Sequence, residues 1–186
     1  SISLDHLEYL GNNLIQITCE KSDILLNSDK VIIAKQKPVV NACLKLIFEQ
    51  KNISSAAFFK QSYDFDVEDD IFYYIDIDNE KITQYKEPSL LGCHQLINLA
   101  TAITTVNFIS KQFTLTHKNI DKAIIKTKWS GRIEQIFIAD KFLAHPNTTV
   151  FFDGAHNDQG ARYLSLWLKK THFNGKTILI YGRSKG

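Results

Sequence analysis

The apolar run Val150–Phe152 and the polar turn that follows it, Asp153–Asn157 (DGAHN), constrain the fold more than any other stretch of the chain. A short apolar run of this kind is typical of a buried strand, and here it stops at an acid, a glycine, a histidine and an asparagine. Gly154 can bend the chain, and Asn157 can cap a following helix. Ligands of open α/β sheets bind beyond the carboxyl ends of the strands. The turn is therefore equally compatible with a structural connection and with a binding site.

The rest of the chain alternates between strand and helix patterns, which predicts an α/β fold. The predicted strands are 31–35, 71–77, 81–85, 133–138, 149–152 and 177–181. The predicted helices are 13–21, 39–50, 93–109, 117–127 (with Thr116 as its N-cap) and 157–170. Strands 71–77 and 81–85 are expected to form an antiparallel hairpin in a β-rich region. The second half follows a βα pattern, which predicts a parallel sheet, and the break at 129–131 is the predicted domain boundary.

Composition excludes several classes of protein. A net charge of +2 without a long basic run argues against nucleic-acid binding as the main activity. No apolar run is long enough for a membrane span. Cys19, Cys43 and Cys93 are far apart and include no CxxC pair, so neither a zinc site nor a disulfide framework is indicated. These features predict a reducing, cytoplasmic environment.

The two ends of the sequence indicate that this chain is a segment of a longer protein. The sequence contains no methionine and opens on Ser-Ile-Ser-Leu. It closes on the glycine-rich stretch Tyr181–Gly186, directly after a predicted strand.

The first predicted helix has a lysine on its apolar face. At helical spacing Leu14, Ile17 and Lys21 share one side of helix 13–21. One interpretation is that Lys21 extends its ammonium group to solvent from the helix end. The other is that a buried amine is held there in a reactive state. Taken alone, His6 is best interpreted as a structural histidine. Together with Glu20 and Lys21, it also fits a metal or phosphate site.

Two phosphate-binding patterns can be dismissed. Asn174–Thr177 (NGKT) resembles the end of a P-loop, G-x-x-x-x-G-K-[ST], but Lys170 stands where the first glycine would be. The segment also precedes a predicted strand, whereas a P-loop opens a helix, so a turn is expected at this position. No G-x-G-x-x-G pattern occurs in the chain.

Four blocks of sequence together resemble the folylpolyglutamate synthase/dihydrofolate synthase family of the Mur ligase superfamily. They are SISLDH at 1–6 with Leu10-Gly11 and Glu20-Lys21, LGCHQ at 91–95 with Asn98 and Ala100–Ala102, WSGRIE at 129–134, and DGAHN at 153–157. The resemblance implies that 1–131 is the back part of a P-loop-type Mur ligase central (ATPase) domain. It implies that 132–186 is the first βαβ portion of a Rossmann-like C-terminal (glutamate ligase) domain. The turn at 153–157 would then contact the nucleotide.

The resemblance also implies an activity, that of an ATP-dependent acid–amino-acid ligase. In the family, ATP phosphorylates a carboxylate of dihydropteroate or folate, and the amine of L-glutamate attacks the acyl phosphate. The implied cofactors are ATP and Mg²⁺, and the implied partners are these small molecules, with no nucleic acid and no membrane. A cytoplasmic monomer is expected.

Two residues match the family's metal site. His6 matches the metal-binding histidine, and Lys21 matches the lysine that is carbamylated, helps to hold Mg²⁺ and serves catalysis. The family usually continues from this lysine with Ala-Gly-Ile, whereas this chain has Ser22-Asp23-Ile24. The added carboxylate puts the local geometry in doubt.

Three residues match the family's nucleotide-contacting positions, and a fourth, His156, lies in the same turn as one of them. Asn98 matches an ATP-contacting asparagine, and Arg132 matches the arginine that reaches the phosphates from the domain junction. Asp153 matches the ATP-contacting aspartate of the second domain. His156, in the same turn, has a weaker catalytic role.

Two alternatives stay open. The family's P-loop and most of its C-terminal domain have no counterpart in the 186 residues. A non-catalytic nucleotide-binding remnant is one alternative, and Ser22-Asp23 favours it. A related ligase acting on a cell-wall precursor is the other, although the DGAHN form of the turn favours the folate branch.

Overall fold

The computed structural model of the chain describes residues 1–5, 7–25, 30–110, 113, 115–139 and 148–182. They form a mixed α/β structure, as predicted, which divides into two compact units. The first unit is Ser1–Ser89 with Gln95–Thr127, and the second is Leu90–His94 with Lys128–Gly186. The boundary at 131/132 was inferred as the border between the central and the C-terminal domain of the family. It stays a prediction.

The described residues contain both helices and strands. In chain order they are α1 (Leu7–Leu10), α2 (Leu14–Ser22), a 3₁₀ turn (Asp23–Leu25), β1 (Lys30–Ile33), α3 (Pro38–Gln50), β2 (Ser55–Phe58), β3 (Tyr63–Glu68), β4 (Ile71–Asp76), β5 (Lys81–Lys86), α4 (Cys93–Ile109), α5 (His117–Lys126), β6 (Glu134–Ile136), β7 (Val150–Phe152) and α6 (Asp158–Lys170).

A parallel βαβ unit lies in the first unit. Strands β1 and β2 pair in parallel, with Lys30 opposite Ser55 and Ile33 opposite Phe58. Helix α3 supplies the crossover that a parallel pair requires. Pro38 stands at its start, where a missing N–H costs nothing. The buried face of α3 consists of Val40, Leu44, Ile47 and Phe48.

An antiparallel sheet of the order β3-β4-β5 completes the first unit. The predicted hairpin is confirmed as β4 and β5, with Phe72 opposite Tyr85. Alternate residues of the sheet point into a core that includes Tyr63, Phe72 and Tyr74, and α4 adds Ala100 and Ile103 to it. The buried tyrosine hydroxyls find partners. Tyr63 donates to the carbonyl of Ile33 (2.9 Å) and lies 3.1 Å from Thr101 Oγ1, and the Tyr74 hydroxyl lies 3.0 Å from Thr104 Oγ1.

These buried tyrosines predict a loss of stability at alkaline pH. Burial raises the pKa of the Tyr63 hydroxyl above its ordinary value, and the hydrogen bond with Thr101 offsets part of the shift. A raised pKa means that the folded state holds its proton more tightly, so this contribution to stability is complete below about pH 10 and is lost as the pH rises through the folded-state pKa. Tyr63→Phe should cost about 1–2 kcal/mol at neutral pH but flatten the alkaline decline. Urea unfolding across pH measures both effects. Tyr9→Phe, at a residue that is 81% exposed, is the control and should change neither.

The second unit corrects one topology prediction. Strands β6 and β7 pair antiparallel, with Glu134 opposite Phe152 and Ile136 opposite Val150, so the predicted parallel sheet is wrong. A parallel pair needs a crossover, usually a helix, whereas an antiparallel pair needs only a return of the chain. Among the described residues of this unit, helix α6 follows β7 and does not lie between β6 and β7.

The predicted strand at 177–181 is also wrong, because those residues form no strand. Backbone groups in a strand need a neighbour to pair with, and in the described part of the chain no segment pairs with them. Ile178, Leu179 and Ile180 are exposed. The preceding NGKT segment is non-helical too, and Gly175 has a φ of +115°, so it is the expected turn and not a P-loop.

No helix among the described residues combines the length and the apolar character that a membrane span requires.

Candidate functional site

Two polar turns lie side by side at one end of the β6–β7 pair. The first is Gly131–Ile133, which leads into β6, and the second is Asp153–Asn157, which leaves β7. Antiparallel pairing places the start of one strand beside the end of the other, and Gly154 N donates to Gly131 O at 2.8 Å. A parallel pair would have put these turns at opposite ends. The topology that the sequence pattern did not predict is therefore what brings Arg132 and Asp153 together.

The second turn also opens α6, as predicted. Asn157 has extended backbone angles, and its Oδ1 accepts a hydrogen bond from Gly160 N at 2.8 Å. This satisfies one of the N–H groups that a helix start leaves unpaired. The structural interpretation of Asn157 is confirmed.

The carboxylate of Asp153 connects the two turns. Its Oδ2 accepts from Ile133 N and its Oδ1 accepts from Ala155 N, both at 2.9 Å. Ile133 has a φ of +50°, a left-handed conformation that is costly for a β-branched residue. Its side chain is 2% exposed, so burial and the hydrogen bond to Asp153 together hold it there.

Arg132 lies between two fixed residues and is itself exposed. On one side Gly131, at a φ of +72°, donates its N–H to Glu134 Oε2 at 2.8 Å. On the other side Ile133 is held by Asp153. The backbone that bears the guanidinium is thus restrained from both directions while the side chain faces solvent. Such an arrangement presents a cation to an anionic ligand with little reorganisation of the chain.

Removing the Asp153 carboxylate should destabilise the second unit. Asp153→Ala deletes two charge-assisted hydrogen bonds and releases a strained residue, so we expect a loss of about 2–4 kcal/mol in the free energy of unfolding. Asp153→Asn retains one oxygen acceptor and should lose about half as much. Urea unfolding measures the loss, and hydrogen exchange of the Ile133 amide locates it.

The control for this change is Asp158→Ala. Asp158 makes an exposed ion pair with Arg162 at 2.9 Å, so its removal should change the free energy of unfolding by about 0.5 kcal/mol or less. Equal effects at Asp153 and Asp158 would contradict the connecting role of Asp153.

His94 belongs to this site, although the sequence pattern assigned it no role. Its ring lies 5.0 Å from that of Tyr163. Burial lowers the pKa of His94; the carboxylate of Asp153 acts in the opposite direction, and the guanidinium of Arg132 lowers it further. His94 is therefore within electrostatic reach of both residues. The sequence signal that could have identified His94 is its position in the LGCHQ block. From that region the resemblance gave a nucleotide-contacting role to Asn98 alone.

His156 is exposed, and its Nδ1 lies 2.9 Å from the carbonyl oxygen of Gly154. A carbonyl can only accept, so Nδ1 is the protonated nitrogen in this contact. The ring folds back on its own turn. Its catalytic role stays a prediction.

The remaining predicted residues belong to the first unit or lie outside the described residues. Asn98 is exposed on α4, and its Nδ2 donates to Gln95 Oε1 at 3.0 Å. His6 lies outside the described residues. In the part of the chain that the structure describes, no three His, Cys, Asp or Glu side chains come close enough to hold a metal ion. The Mg²⁺ site stays a prediction.

The interpretation of Lys21 as a buried lysine is wrong, because Lys21 is exposed in the last turn of α2. The buried face of the helix is Ile17, Thr18 and Ser22. The hydroxyls of Thr18 and Ser22 donate to the carbonyls one turn earlier, both at 2.6 Å. With their polar groups satisfied within the helix, these small residues can be buried. The exposed position of Lys21 in the last turn fits the other interpretation, in which its ammonium group extends to solvent from the helix end.

Known proteins resemble the chain over its whole length. It is 25% identical to the dihydrofolate synthase/folylpolyglutamate synthase of Bacillus subtilis, covering 100% of this chain and 42% of that protein. The apo form of the Lactobacillus casei FPGS matches 93% of the chain with a TM-score of 0.75 and 25% identity. An FPGS–AMPPCP–folate complex matches 91% of it, also with a TM-score of 0.75 and 25% identity.

These similarities confirm the resemblance that the four sequence blocks indicate. The chain spans 42% of the length of the Bacillus subtilis relative and 41% and 40% of the two solved chains. No protein-family model matches it.

Proposed function

We propose that this chain, as a relative of the dihydrofolate synthases and folylpolyglutamate synthases along its whole length, is part of an ATP-dependent ligase that joins L-glutamate to dihydropteroate or folate. The observation that best supports the proposal is the fixed, solvent-facing position of Arg132 beside Asp153. The FPGS structure determined with AMPPCP and folate contains a nucleotide and a folate in the same complex.

The reaction creates an amide from a carboxylate and an amine. An oxygen of the acceptor carboxylate attacks the γ-phosphorus of ATP, which forms an acyl phosphate and releases ADP. The amine of glutamate then attacks the acyl carbon. Inorganic phosphate leaves with one oxygen of the original carboxylate. The glutamate ammonium loses one proton to become the attacking amine and a second when the amide forms, both to solvent, and the amide nitrogen keeps one hydrogen. Negative charge accumulates on the phosphoryl oxygens in the first step, so a fixed cation is the most useful group that this chain can supply.

Arg132 provides that cation. Its planar guanidinium can donate two parallel hydrogen bonds to phosphoryl oxygens, and its restrained backbone reduces the cost of positioning it. Asp153 acts differently, because a carboxylate repels phosphate. It holds the turn that bears Arg132 and uses its remaining acceptor capacity for hydroxyl or amine donors of the nucleoside.

The remaining roles come from the resemblance. Asn98 would contact ATP, His156 would assist at the turn that bears Asp153, and His6 with a carbamylated Lys21 would hold Mg²⁺. The described residues by themselves do not form a shell of oxygen ligands for that ion.

The non-catalytic remnant stays the alternative. One sequence feature that favours it is Ser22-Asp23, where the family usually has Ala-Gly. In this structure Ser22 is buried and bonded to Thr18 O at 2.6 Å. The carboxylate of Asp23 pairs with Lys51 at 3.1 Å. Both departures are accommodated by local contacts and leave Lys21 exposed.

A glutamate-incorporation assay tests the proposal. The protein from the complete reading frame is incubated with ATP, Mg²⁺, labelled glutamate and, in separate reactions, dihydropteroate, reduced folate or a cell-wall precursor. We expect label in the pteroate or folate product, with one ADP formed for each amide. Label in the cell-wall precursor alone would indicate the other ligase branch. Absence of ATP turnover with every acceptor would overturn the enzyme assignment.

A further inference from the structure

The bare backbone of Gly92 brings together two side chains of the second unit. Gly92 has a φ of +101°, in the left-handed region that favours glycine. A β-carbon at this position would stand 2.8 Å from Cε1 of His94 and 3.0 Å from Cδ1 of Ile133. The imidazole ring and the end of the Ile133 side chain therefore both pack into the space beside Gly92 that a side chain would need.

The same imidazole ring also contacts helix α6. The ring centroids of His94 and Tyr163 are 5.0 Å apart, and the two ring planes are tilted by 32°. Both residues are half-buried. Helix α6 directly follows the turn at Asp153–Asn157. His94 thus touches the helix that leaves one of the two turns of the candidate site, and it packs beside Gly92 with the buried side chain of the other turn.

Ile133 needs this support because its backbone is strained. A φ of +50° is unfavourable for a β-branched residue. The hydrogen bond from Ile133 N to Asp153 Oδ2, at 2.9 Å, restrains the backbone but not the side chain. That side chain is 2% exposed, so close packing determines its position. Removal of a ring packed with it would leave a cavity into which Ile133 can move, and a change of its backbone angles would turn the peptide group that joins it to Arg132.

We propose that His94 is a positioning residue, whose ring packs Ile133 into its left-handed conformation and thereby keeps Arg132 in place for the transferring phosphoryl group. The proposal rests on the ligase function proposed above. His94 acts through the shape of its ring and touches no reacting atom. Its packing complements the Asp153 hydrogen bond, which restrains the same residue through the backbone.

Two measurements on the protein from the complete reading frame test the proposal, with His94→Ala as the variant. We expect first-turnover ADP formation at saturating ATP to be about tenfold slower, since a small displacement of a positioned group can cost this much or more. The KM for ATP should change by less than about threefold, because Arg132 acts on charge that develops in the transition state. Hydrogen exchange of the Ile133 amide should be about tenfold faster, since the local structure opens more readily.

Three further variants separate positioning from other roles. His94→Phe keeps a flat ring without the nitrogen atoms, so its rate and its Ile133 exchange should return to within about threefold of those of the unmodified protein. Tyr163→Ala removes the ring on α6 and should give an intermediate loss of rate, which keeps the proposal testable if His94→Ala does not fold. His117→Ala is the matched control, because it removes a histidine stacked on Tyr85 at 4.7 Å in the first unit, and it should change neither quantity.

The outcomes distinguish this proposal from the ligase function on which it rests. An unchanged rate and unchanged Ile133 exchange in a His94→Ala protein with native circular dichroism would overturn the proposal. An equal loss of rate in His94→Ala and His94→Phe with normal Ile133 exchange would also overturn it, because a ring nitrogen would then act directly. Absence of ADP formation by the unmodified protein would overturn the ligase function instead, and Ile133 exchange would still show whether His94 holds that residue.

Discussion

The 186-residue chain expressed on its own will show no glutamate ligase turnover and at most weak ATP binding. In the function proposed above, Lys21, Asn98, Arg132 and Asp153 would each supply a single contact to a nucleotide or metal. None of them replaces a P-loop, whose successive backbone N–H groups and lysine hold the phosphates, and the 186 residues contain no such motif. Without that grip Arg132 faces a mobile phosphoryl group, and the advantage of a positioned substrate, about 7 kcal/mol or more in favourable cases, is lost.

The measurement compares equal amounts of this chain and of the protein from the complete reading frame. Glutamate incorporation gives the turnover, and calorimetric titration with AMPPCP gives the affinity. Circular dichroism must show that the isolated chain is folded, because each of its two smaller sheets, β1–β2 and β6–β7, has only two strands in the described part of the structure. Comparable turnover by the two proteins would refute the role assigned to the missing phosphate grip.

Replacing Arg132 in the complete protein is the second large expected effect. Arg132→Ala should slow acyl phosphate formation by roughly 2–4 kcal/mol, the cost of losing a preorganised group that stabilises transition-state charge. This corresponds to a rate about 30- to 1,000-fold lower. Rapid-quench measurement of ADP formation in the first turnover reports this step directly. The effect should be on the rate and not on the KM for ATP, because the charge that Arg132 stabilises develops in the transition state.

Two further variants make the Arg132 experiment specific. Arg132→Lys retains the charge but not the planar pair of donors, so its rate should lie between those of the alanine variant and the unmodified protein. Arg162→Ala removes an exposed arginine of α6 that pairs with Asp158, and it should leave the rate unchanged. An unaltered first-turnover rate in Arg132→Ala would remove Arg132 from the site.

Features that depend on neighbours in sequence were predictable. The N-cap at Asn157 accepts from Gly160, three residues away, and the cap at Thr116 bonds with Asn119 in the same way. Helix α4 was predicted with its observed bounds, 93–109, from its apolar spacing. It follows Gly92, whose φ of +101° is one that a side chain rarely adopts. Such signals are local, so the sequence contains them in full.

Features that depend on distant partners were not predictable in the same way. An apolar run indicates a strand but not its neighbour, so the direction of β6–β7 and the strand predicted at 177–181 were misjudged. Thr18 and Ser22 are buried on α2 because their hydroxyl groups bond within the helix, which an apolar count ignores.

The same distinction between features set by sequence neighbours and features set by distant partners applies to the candidate site. The turn at 153–157 was recognised from its composition, and Arg132 and Asp153 came from the resemblance. Their mutual arrangement, with Asp153 holding Ile133 in a left-handed conformation next to Arg132, depends on antiparallel pairing across β6 and β7. A sequence pattern that predicted a parallel sheet could not supply it.

The most direct test of the proposed chemistry follows an oxygen atom. The acceptor, dihydropteroate or folate, is labelled with ¹⁸O in its carboxylates and incubated with the protein from the complete reading frame, ATP, Mg²⁺ and glutamate, and the released phosphate is analysed by mass spectrometry. An acyl phosphate requires that one carboxylate oxygen leave with phosphate, so we predict one ¹⁸O in the phosphate for each amide formed. Amide formation with unlabelled phosphate, or with AMP and pyrophosphate in place of ADP and phosphate, would contradict the account.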